Sequence, residues 1–246
     1  MTTNGKAAVT MLMLLAIAGS TSCASTRTPG SAAPNAASAP HSQADQRAMG
    51  PKDVEKILKA GNERFAKGEG TARDHLAHAK SSSAGQHPMA VVLSCLDSRI
   101  PVELVFDRGI GDLFVARVAG NFENVDILGS MEFATKLAGA KLIVVLGHTN
   151  CGAIKGACDG AKLGHLTATL ANIAPAVEVG KRTAGEHNSN NKAFVSTVAE
   201  ANVQQTMRDI VERSPVIKEL VDAGQLAVVG GIYNLETGTV DWLSSP

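Results

Sequence analysis

The sequence Lys141-Leu-Ile-Val-Val-Leu146, followed directly by Gly147-His148-Thr149-Asn150-Cys151-Gly152, decides the fold. Its first half is a short apolar run rich in β-branched residues, which predicts a buried strand, and its second half predicts the turn into a helix. Two similar runs come earlier, Met89 to Ser94 and Asp112 to Val118. Helical patterns separate the three runs, so the sequence predicts βαβ units and a parallel sheet buried on both faces.

The remaining elements are predicted in the same way. A helix begins at Pro51 and continues to Phe65, with Gly68 after its end. Further helices are predicted over Pro101 to Asp107, Asp126 to Leu137, Cys151 to Cys158, Leu166 to Lys181, Asn191 to Arg213 and Pro215 to Asp222. A last strand is predicted over Leu226 to Tyr233, with a short extension over Thr239 to Leu243. The predicted fold class is therefore α/β, a mostly parallel central sheet flanked by helices with an N-terminal helical arm.

The N-terminus has the pattern of an export signal. Lys6 precedes the apolar run 7–18, which is followed by small residues and is shorter than the roughly 20 apolar residues of a membrane span. We therefore predict a signal peptide over 1–24, a disordered Ser-, Ala- and Pro-rich tether over 25–50, and a folded domain over 51–246 in the periplasm. Cleavage near Ala18 or Ala24 and lipidation of Cys23 as a membrane anchor both stay open, because Ser20 stands where lipoproteins usually carry Leu. A cytosolic core helix is the remaining alternative.

Charge and composition limit the partners. The chain has 23 Lys and Arg and 23 Asp and Glu, so no net field attracts nucleic acid, and a small, weakly charged substrate fits better. Hydrophobic residues make up 44% but aromatic residues only 3%, so aliphatic side chains must fill the core.

The segment Cys95-Leu96-Asp97-Ser98-Arg99 follows the first apolar run. In extended backbone, residues two apart point the same way, so Cys95, Asp97 and Arg99 are expected to face one pocket. Arg99 would hold Asp97 ionised through a bidentate pair.

The second motif is His148-x-x-Cys151, where Cys151 opens a helix. His and Cys three residues apart can bind one metal, and backbone N–H groups at a helix start are expected to lower the pKa of the Cys151 thiol. Gly152 lets the backbone come close to whatever occupies the site. Both motifs follow strands, whose carboxyl ends share one edge of a parallel sheet, so one shared site is predicted.

Two thiolates and an imidazole favour zinc, and three protein ligands leave a fourth position for water. Zinc can lower the pKa of that water to about 7, which would provide hydroxide near neutral pH. Two alternatives stay open: a closed structural site with Cys158 as fourth ligand, or a disulfide between Cys95 and Cys151. Cys158 is otherwise expected to be a small buried hydrophobic residue.

The motif Cys-x-Asp-x-Arg, followed about fifty residues later by His-x-x-Cys-Gly, resembles the signature of β-class carbonic anhydrases, and the likeness extends from Gly61 to Leu243. The resemblance implies reversible hydration of carbon dioxide to bicarbonate and a proton. It implies one Zn²⁺ per subunit, with Cys95, His148 and Cys151 as ligands. It also implies Asp97–Arg99 as a catalytic dyad. An open site and a closed form with Asp97 as a fourth ligand at lower pH, as in some family members, both stay open.

The resemblance extends to the substrate pocket and the assembly. It implies that Gln86 hydrogen-bonds the substrate, that Phe114 and Phe133 form an apolar pocket, and that Gly152 lies at the substrate. A homodimer or larger homo-oligomer is implied, in which Gln86 and one aromatic residue reach across the subunit interface. For each phenylalanine, ordinary core packing is the alternative.

Two positions depart from the family pattern. Val118 stands where the family often has Asn, and Val92 stands where members with a non-catalytic bicarbonate site have Trp, so no such site is expected. Two functional alternatives also stay open: a hydrolase of carbon disulfide or carbonyl sulfide with the same fold, and a non-enzymatic zinc or redox module.

Overall fold

The computed structural model describes residues 41–243, in which residues 142–146 of the quoted run lie in the central strand of a five-stranded sheet. The strands are β1 (Ala90–Ser94), β2 (Leu113–Arg117), β3 (Leu142–His148), β4 (Ala227–Tyr233) and β5 (Val240–Leu243). Their order is β2-β1-β3-β4-β5, with β1 to β4 parallel and β5 antiparallel to β4. Every residue of β1 and β3 is buried, as expected for parallel strands covered on both faces.

Helices flank this sheet, which confirms the predicted fold class. They are α1 (Gln43–Ala48), α2 (Pro51–Ala66), α3 (His75–Ser81), α4 (Val102–Val105), α5 (Val125–Glu132), α6 (Gly152–Cys158), α7 (Gly164–Ala171), α8 (Ala174–Gly180), α9 (Lys192–Arg213) and α10 (Pro215–Asp222). A π-helical turn, Phe133–Leu137, continues α5. Between residues 41 and 243, no helix combines the length and hydropathy needed to cross a membrane.

The helix α9 covers β3 and β4 and forms one side of the core. The side chain of Asn191 caps its first turn by accepting from the Phe194 N–H. Close packing depends on a glycine in β4, because a Cβ at Gly230 would lie 2.6 Å from Val203 and 2.8 Å from Met207 of the helix. Burying each such apolar side chain contributes about 1.5–3 kcal/mol to folding.

The prediction of one helix over Leu166 to Lys181 is wrong, because this segment forms the two helices α7 and α8. Pro175 lies in the first turn of α8 and has no N–H to donate to the carbonyl four residues earlier. Asn172 ends α7 by donating from its side chain to the carbonyls of Ala168 and Thr169. The break therefore follows from local chemistry.

The predicted tether over 25–50 is wrong for its last ten residues, where α1 lies. Ser42 and Asp45 form a capping box at its start. Gln46 is 5% exposed and donates from Nε2 to the carbonyls of Pro88 and Ala138, at 2.8 Å each. Because α1 is attached to the domain by the amide of Gln46, its sequence does not need the apolar period that predicts a packed helix. The predicted signal peptide and the tether over 25–40 lie outside the described residues.

Candidate metal centre and active site

The two sequence motifs meet between β1 and β3, the two adjacent strands whose following connections lead toward opposite edges of the sheet. Cys95 follows β1, and His148 is the last residue of β3. β1 and β3 are adjacent, but β2 lies beyond β1 and β4 lies beyond β3. Such a switch in strand order opens a crevice at the carboxyl edge, where open α/β sheets bind ligands. The predicted single shared site is therefore present.

The three predicted zinc ligands form a buried cluster. Cys95 Sγ, a ring nitrogen of His148 and Cys151 Sγ all lie within 4.8 Å of one another. His148 Nδ1 lies 2.9 Å from the Thr149 carbonyl, which places the ring hydrogen on Nδ1. His148 Nε2 is then a buried acceptor with no hydrogen-bond partner among the described residues. An unpartnered imidazole nitrogen beside two thiols fits one Zn²⁺ ion.

Neither alternative arrangement of the cysteines is present. Cys95 and Cys151 are free thiols with their sulfurs 3.9 Å apart, so they form no disulfide. Cys158 is outside the cluster and packs against the core, but it is half-buried rather than buried as predicted. Burial raises the pKa of its thiol to about 11, which disfavours the thiolate that a metal ligand needs.

The two clustered thiols lie close enough to affect each other's ionisation, with their sulfurs 3.9 Å apart. A hydrogen bond from Cys151 lowers the pKa of Cys95, whereas the neighbouring Cys95 and burial raise the pKa of Cys151. The helix start does lower the pKa of Cys151 as predicted, but the net shift is upward because Cys95 and burial have the larger effects. The N–H groups of Ala153 and Ile154 do favour its thiolate, but they are outweighed. A cation bound here would take the place of the thiol protons and be held by two thiolates.

Asp97 and Arg99 form the predicted bidentate pair. Arg99 donates from Nε to Oδ1 at 2.9 Å and from Nη2 to Oδ2 at 2.7 Å. These bonds hold the pKa of Asp97 well below its usual range. Asp97 Oδ2 lies 3.9 Å from His148 Nε2, so the carboxylate borders the metal cluster.

The predicted extended backbone over this segment is wrong. β1 ends at Ser94, and the next residues turn, with the Ile100 N–H donating to the Asp97 carbonyl at 3.2 Å. Asp97 Oδ1 also accepts the Arg99 N–H at 3.0 Å. The dyad is thus brought to the site by a turn that its own side chain stabilises.

Two residues with no role in the sequence prediction hold the Cys95 loop. Arg117, the last residue of β2, donates from Nε to the Cys95 carbonyl at 3.0 Å and from Nη2 to the Asp97 carbonyl at 2.5 Å. The Gly120 N–H donates to Cys95 Sγ at 3.4 Å. Their signal in the sequence was an Arg at the end of the strand next to the first motif, with a Gly three residues later.

A cavity of about 260 Å³ opens beside the cluster. It is lined by Cys95, Leu96, Asp97, Ala119, Gly152, Ala153, Gly156, Leu166 and Leu170. The structure therefore places Gly152 at the site, where no heavy atom lies within 4 Å of the position a Cβ would take.

The structure does not bring Gln86, Phe114 or Phe133 to this cavity within one chain. Gln86 is exposed and precedes β1, whose five residues span about 16 Å to Cys95 at the opposite end. Phe114 and Phe133 meet edge to face with ring centroids 6.1 Å apart. They line a separate groove of about 590 Å³ beside the edge strand β2.

A family model described as carbonic anhydrase matches residues 90–240, which include the cluster and the dyad. The chain belongs to the carbonic anhydrase family. Carbonic anhydrase 2 of Mycobacterium tuberculosis is 37% identical to it over 189 residues, covering 74% of this chain and 88% of the relative. A carbonic anhydrase of Mycolicibacterium smegmatis is 34% identical over 195 residues, covering 76% and 90%.

The fold identifies the class. The crystal structure of the β-carbonic anhydrase CafA of Aspergillus fumigatus aligns with a TM-score of 0.61 and 26% identity, covering 79% of this chain and 89% of that one. The chain is thus a β-class carbonic anhydrase with a Cys–His–Cys cluster for zinc, as the motifs predicted. Family and site together favour this enzyme over a carbon disulfide hydrolase or a non-catalytic zinc module.

Proposed function

We propose that this chain hydrates carbon dioxide reversibly to bicarbonate and a proton, with one Zn²⁺ held by Cys95, His148 and Cys151. The observation that carries the proposal is the buried His148 Nε2, which has no hydrogen-bond partner within residues 41–243 and lies beside two thiols and the ionised Asp97. When bound, zinc would act as a Lewis acid that lowers the pKa of water and stabilises developing negative charge.

The dyad supplies a fixed hydrogen-bond acceptor. Because Arg99 keeps Asp97 ionised, the carboxylate carries no proton and can accept only. An O–H group that donates to Asp97 has its lone pair turned away from the carboxylate and toward the carbon atom of the substrate. Both carboxylate oxygens are engaged by Arg99, which supports an open site over the closed form with Asp97 as a ligand.

The cavity wall suits an uncharged gas. Ala119, Ala153, Leu166 and Leu170 present apolar surface next to the ionised dyad. Carbon dioxide is uncharged, so moving it from water into a cavity with such a wall costs little desolvation free energy. The bicarbonate anion loses more hydration there, which favours its release to water. The released proton passes to buffer.

We also propose a homodimer or larger homo-oligomer, in which Gln86 and one of the two phenylalanines act on the partner's cavity. Phe133 is 49% exposed and Val125 is 76% exposed along the groove beside the edge strand β2. Apolar exposure beside an open strand edge supports an interface there. Light scattering that gives a monomer at micromolar concentration would contradict this proposal.

Export to the periplasm is the proposal for location, and it is supported by the charged start and apolar run of residues 6–18. Mass spectrometry of the mature N-terminus after cell fractionation would distinguish cleavage near Ala18 or Ala24 from a lipid-bearing Cys23. An intact N-terminus in the cytosolic fraction would contradict export.

Two cysteine variants test the activity and the site together. Cys151→Ser is expected to lose bound zinc and stopped-flow hydration of carbon dioxide, because it removes one of three ligands. Cys158→Ser is the matched control and is expected to keep both. A zinc-replete wild type without hydration activity would refute the function, and a zinc-replete Cys151→Ser variant would refute the ligand assignment. Faster turnover of carbon disulfide than of carbon dioxide would favour the hydrolase alternative.

A further inference from the structure

The buried face of α9 contains one polar side chain directed toward the metal-centre loops. Asn202 is 2% exposed and lies next to the apolar residues Ala201 and Val203. Burying an amide without partners costs roughly 1–3 kcal/mol by mutational data, so its bonding partner matters. Asn202 Nδ2 donates to the Gly120 carbonyl at 2.8 Å, which ties α9 to the loop after β2.

Gly120 connects this bond to the metal cluster. Its N–H donates to Cys95 Sγ, and its φ of +88° lies in the left-handed region. A Cβ here would lie 2.6 Å from Ile173 Cδ1, so the site needs glycine.

Glycine restricts its own torsions least of all residues, so the Gly120 N–H keeps its direction only if the peptide that follows Gly120 is held as well. That peptide is held at two points: Asn202 donates to the Gly120 carbonyl, and the Asn121 N–H donates to the Val118 carbonyl at 3.0 Å. Loss of the Asn202 bond would leave one of these two points.

We propose that Asn202 is a positioning residue for the metal centre: it fixes the Gly120 carbonyl and thereby holds the Gly120 N–H on the sulfur of Cys95. The inference rests on the proposed zinc site. A hydrogen bond to a thiolate sulfur stabilises its charge and fixes its lone-pair direction. Loss of such an outer partner typically weakens metal binding about 10- to 100-fold.

Two substitutions remove the donor. Asn202→Asp keeps the shape but offers an acceptor in place of the amide donor, and Asn202→Leu removes all polarity. Both are expected to bind zinc about 10- to 100-fold more weakly in a chelator competition. In the cobalt-substituted protein, both are expected to shift the sulfur-to-cobalt charge-transfer band, which reports on the thiolates directly.

Val198→Ala is the matched control, because Val198 is fully buried on the same helix and is apolar. It is expected to lower the melting temperature while keeping the wild-type zinc affinity and cobalt spectrum. If Asn202→Leu also lowers only the melting temperature, Asn202 has a merely structural role and the inference is overturned.

A wild-type measurement covers the case in which the Asn202 variants fail to fold. In the cadmium-113 protein, the Gly120 amide proton is expected to show scalar coupling to the metal through the Cys95 sulfur. An uncoupled Gly120 amide would overturn the inference while leaving the zinc site intact. Failure of the wild type to bind zinc, cobalt or cadmium would instead overturn the proposed function, and the inference with it.

Discussion

Replacing Gly61 with alanine tests how closely α2 packs against the end of α4. A Cβ at Gly61 would lie 2.0 Å from the Phe106 carbonyl oxygen and 2.8 Å from its carbon, both of them backbone atoms. Phe106 is the C-cap of α4, the helix that begins three residues after Arg99. The helix α2 would have to move away by more than an ångström.

The movement would also strain the neighbouring Asn62. Its Nδ2 donates to the carbonyls of Val105 and Gly238 at 3.1 and 2.9 Å, and its Oδ1 accepts from the Val240 N–H at 2.8 Å. Overpacking costs about 1–3 kcal/mol, and each weakened buried hydrogen bond about 0.5–1.5 kcal/mol. Alanine recovers about 1 kcal/mol of helix propensity. We expect a net loss of about 2–4 kcal/mol in the free energy of unfolding.

Urea unfolding followed by circular dichroism measures this loss, with Gly129→Ala as the control. Gly129 is also inside a helix, but apart from its chain neighbours and its own helix backbone no described heavy atom lies within 4 Å of its added Cβ. Alanine there is expected to be neutral or to stabilise by up to about 1 kcal/mol. Equal stability of Gly61→Ala and wild type, or equal shifts in the two variants, would refute the packing argument.

Three further outcomes are expected. Asp97→Asn should keep its zinc by elemental analysis but hydrate carbon dioxide at least about 10²-fold more slowly, and an unchanged rate would exclude the dyad. Burial alone would raise the pKa of Asp107, but hydrogen bonds from Arg73 and Arg64 hold it well below its usual range. The unfolded chain therefore takes up the proton first as the pH falls below about 4, and the stability from this group is lost there. Asp107→Asn should accordingly lower the urea midpoint at pH 7 and flatten its fall in acid, whereas a parallel pH profile would contradict this reasoning. Removing zinc with a chelator should lower the melting temperature, since an ion at 100 times its Kd contributes about 2.7 kcal/mol, and an unchanged melting temperature would argue against a site in the native state.

The ligands were predictable because strand period and residue spacing are local properties. Cys95 and His148 each end an apolar run, and parallel strands place such ends at one edge. The pairing of Asp97 with Arg99 was predicted correctly, but from strand alternation, which does not apply here. The backbone forms a turn at these residues where an extended chain was predicted. Short polar side chains stabilise such turns through their own hydrogen bonds, which strand alternation does not describe.

The features missed by the prediction depend on distant partners. Gln46 anchors α1 through two carbonyls 42 and 92 residues away, and a single amide leaves no periodic signal. Gln86 and Phe133 lie away from the cavity of their own chain, so the roles implied for them by the resemblance would require the proposed second subunit. Asn202 did leave a signal, as a polar residue within an apolar helix face, but its partner Gly120 is 82 residues away.

The position of the cluster between β1 and β3 has a consequence for chain entropy. Cys95 and Cys151 are 56 residues apart, so one ion that joins them acts as a reversible cross-link closing a long loop. By the loop-closure relation used for covalent cross-links, a closure of that length removes about 4 kcal/mol of freedom from the denatured ensemble. The same ion would then both take part in catalysis and cross-link the chain. Its loss would destabilise the strands on both sides of the site together.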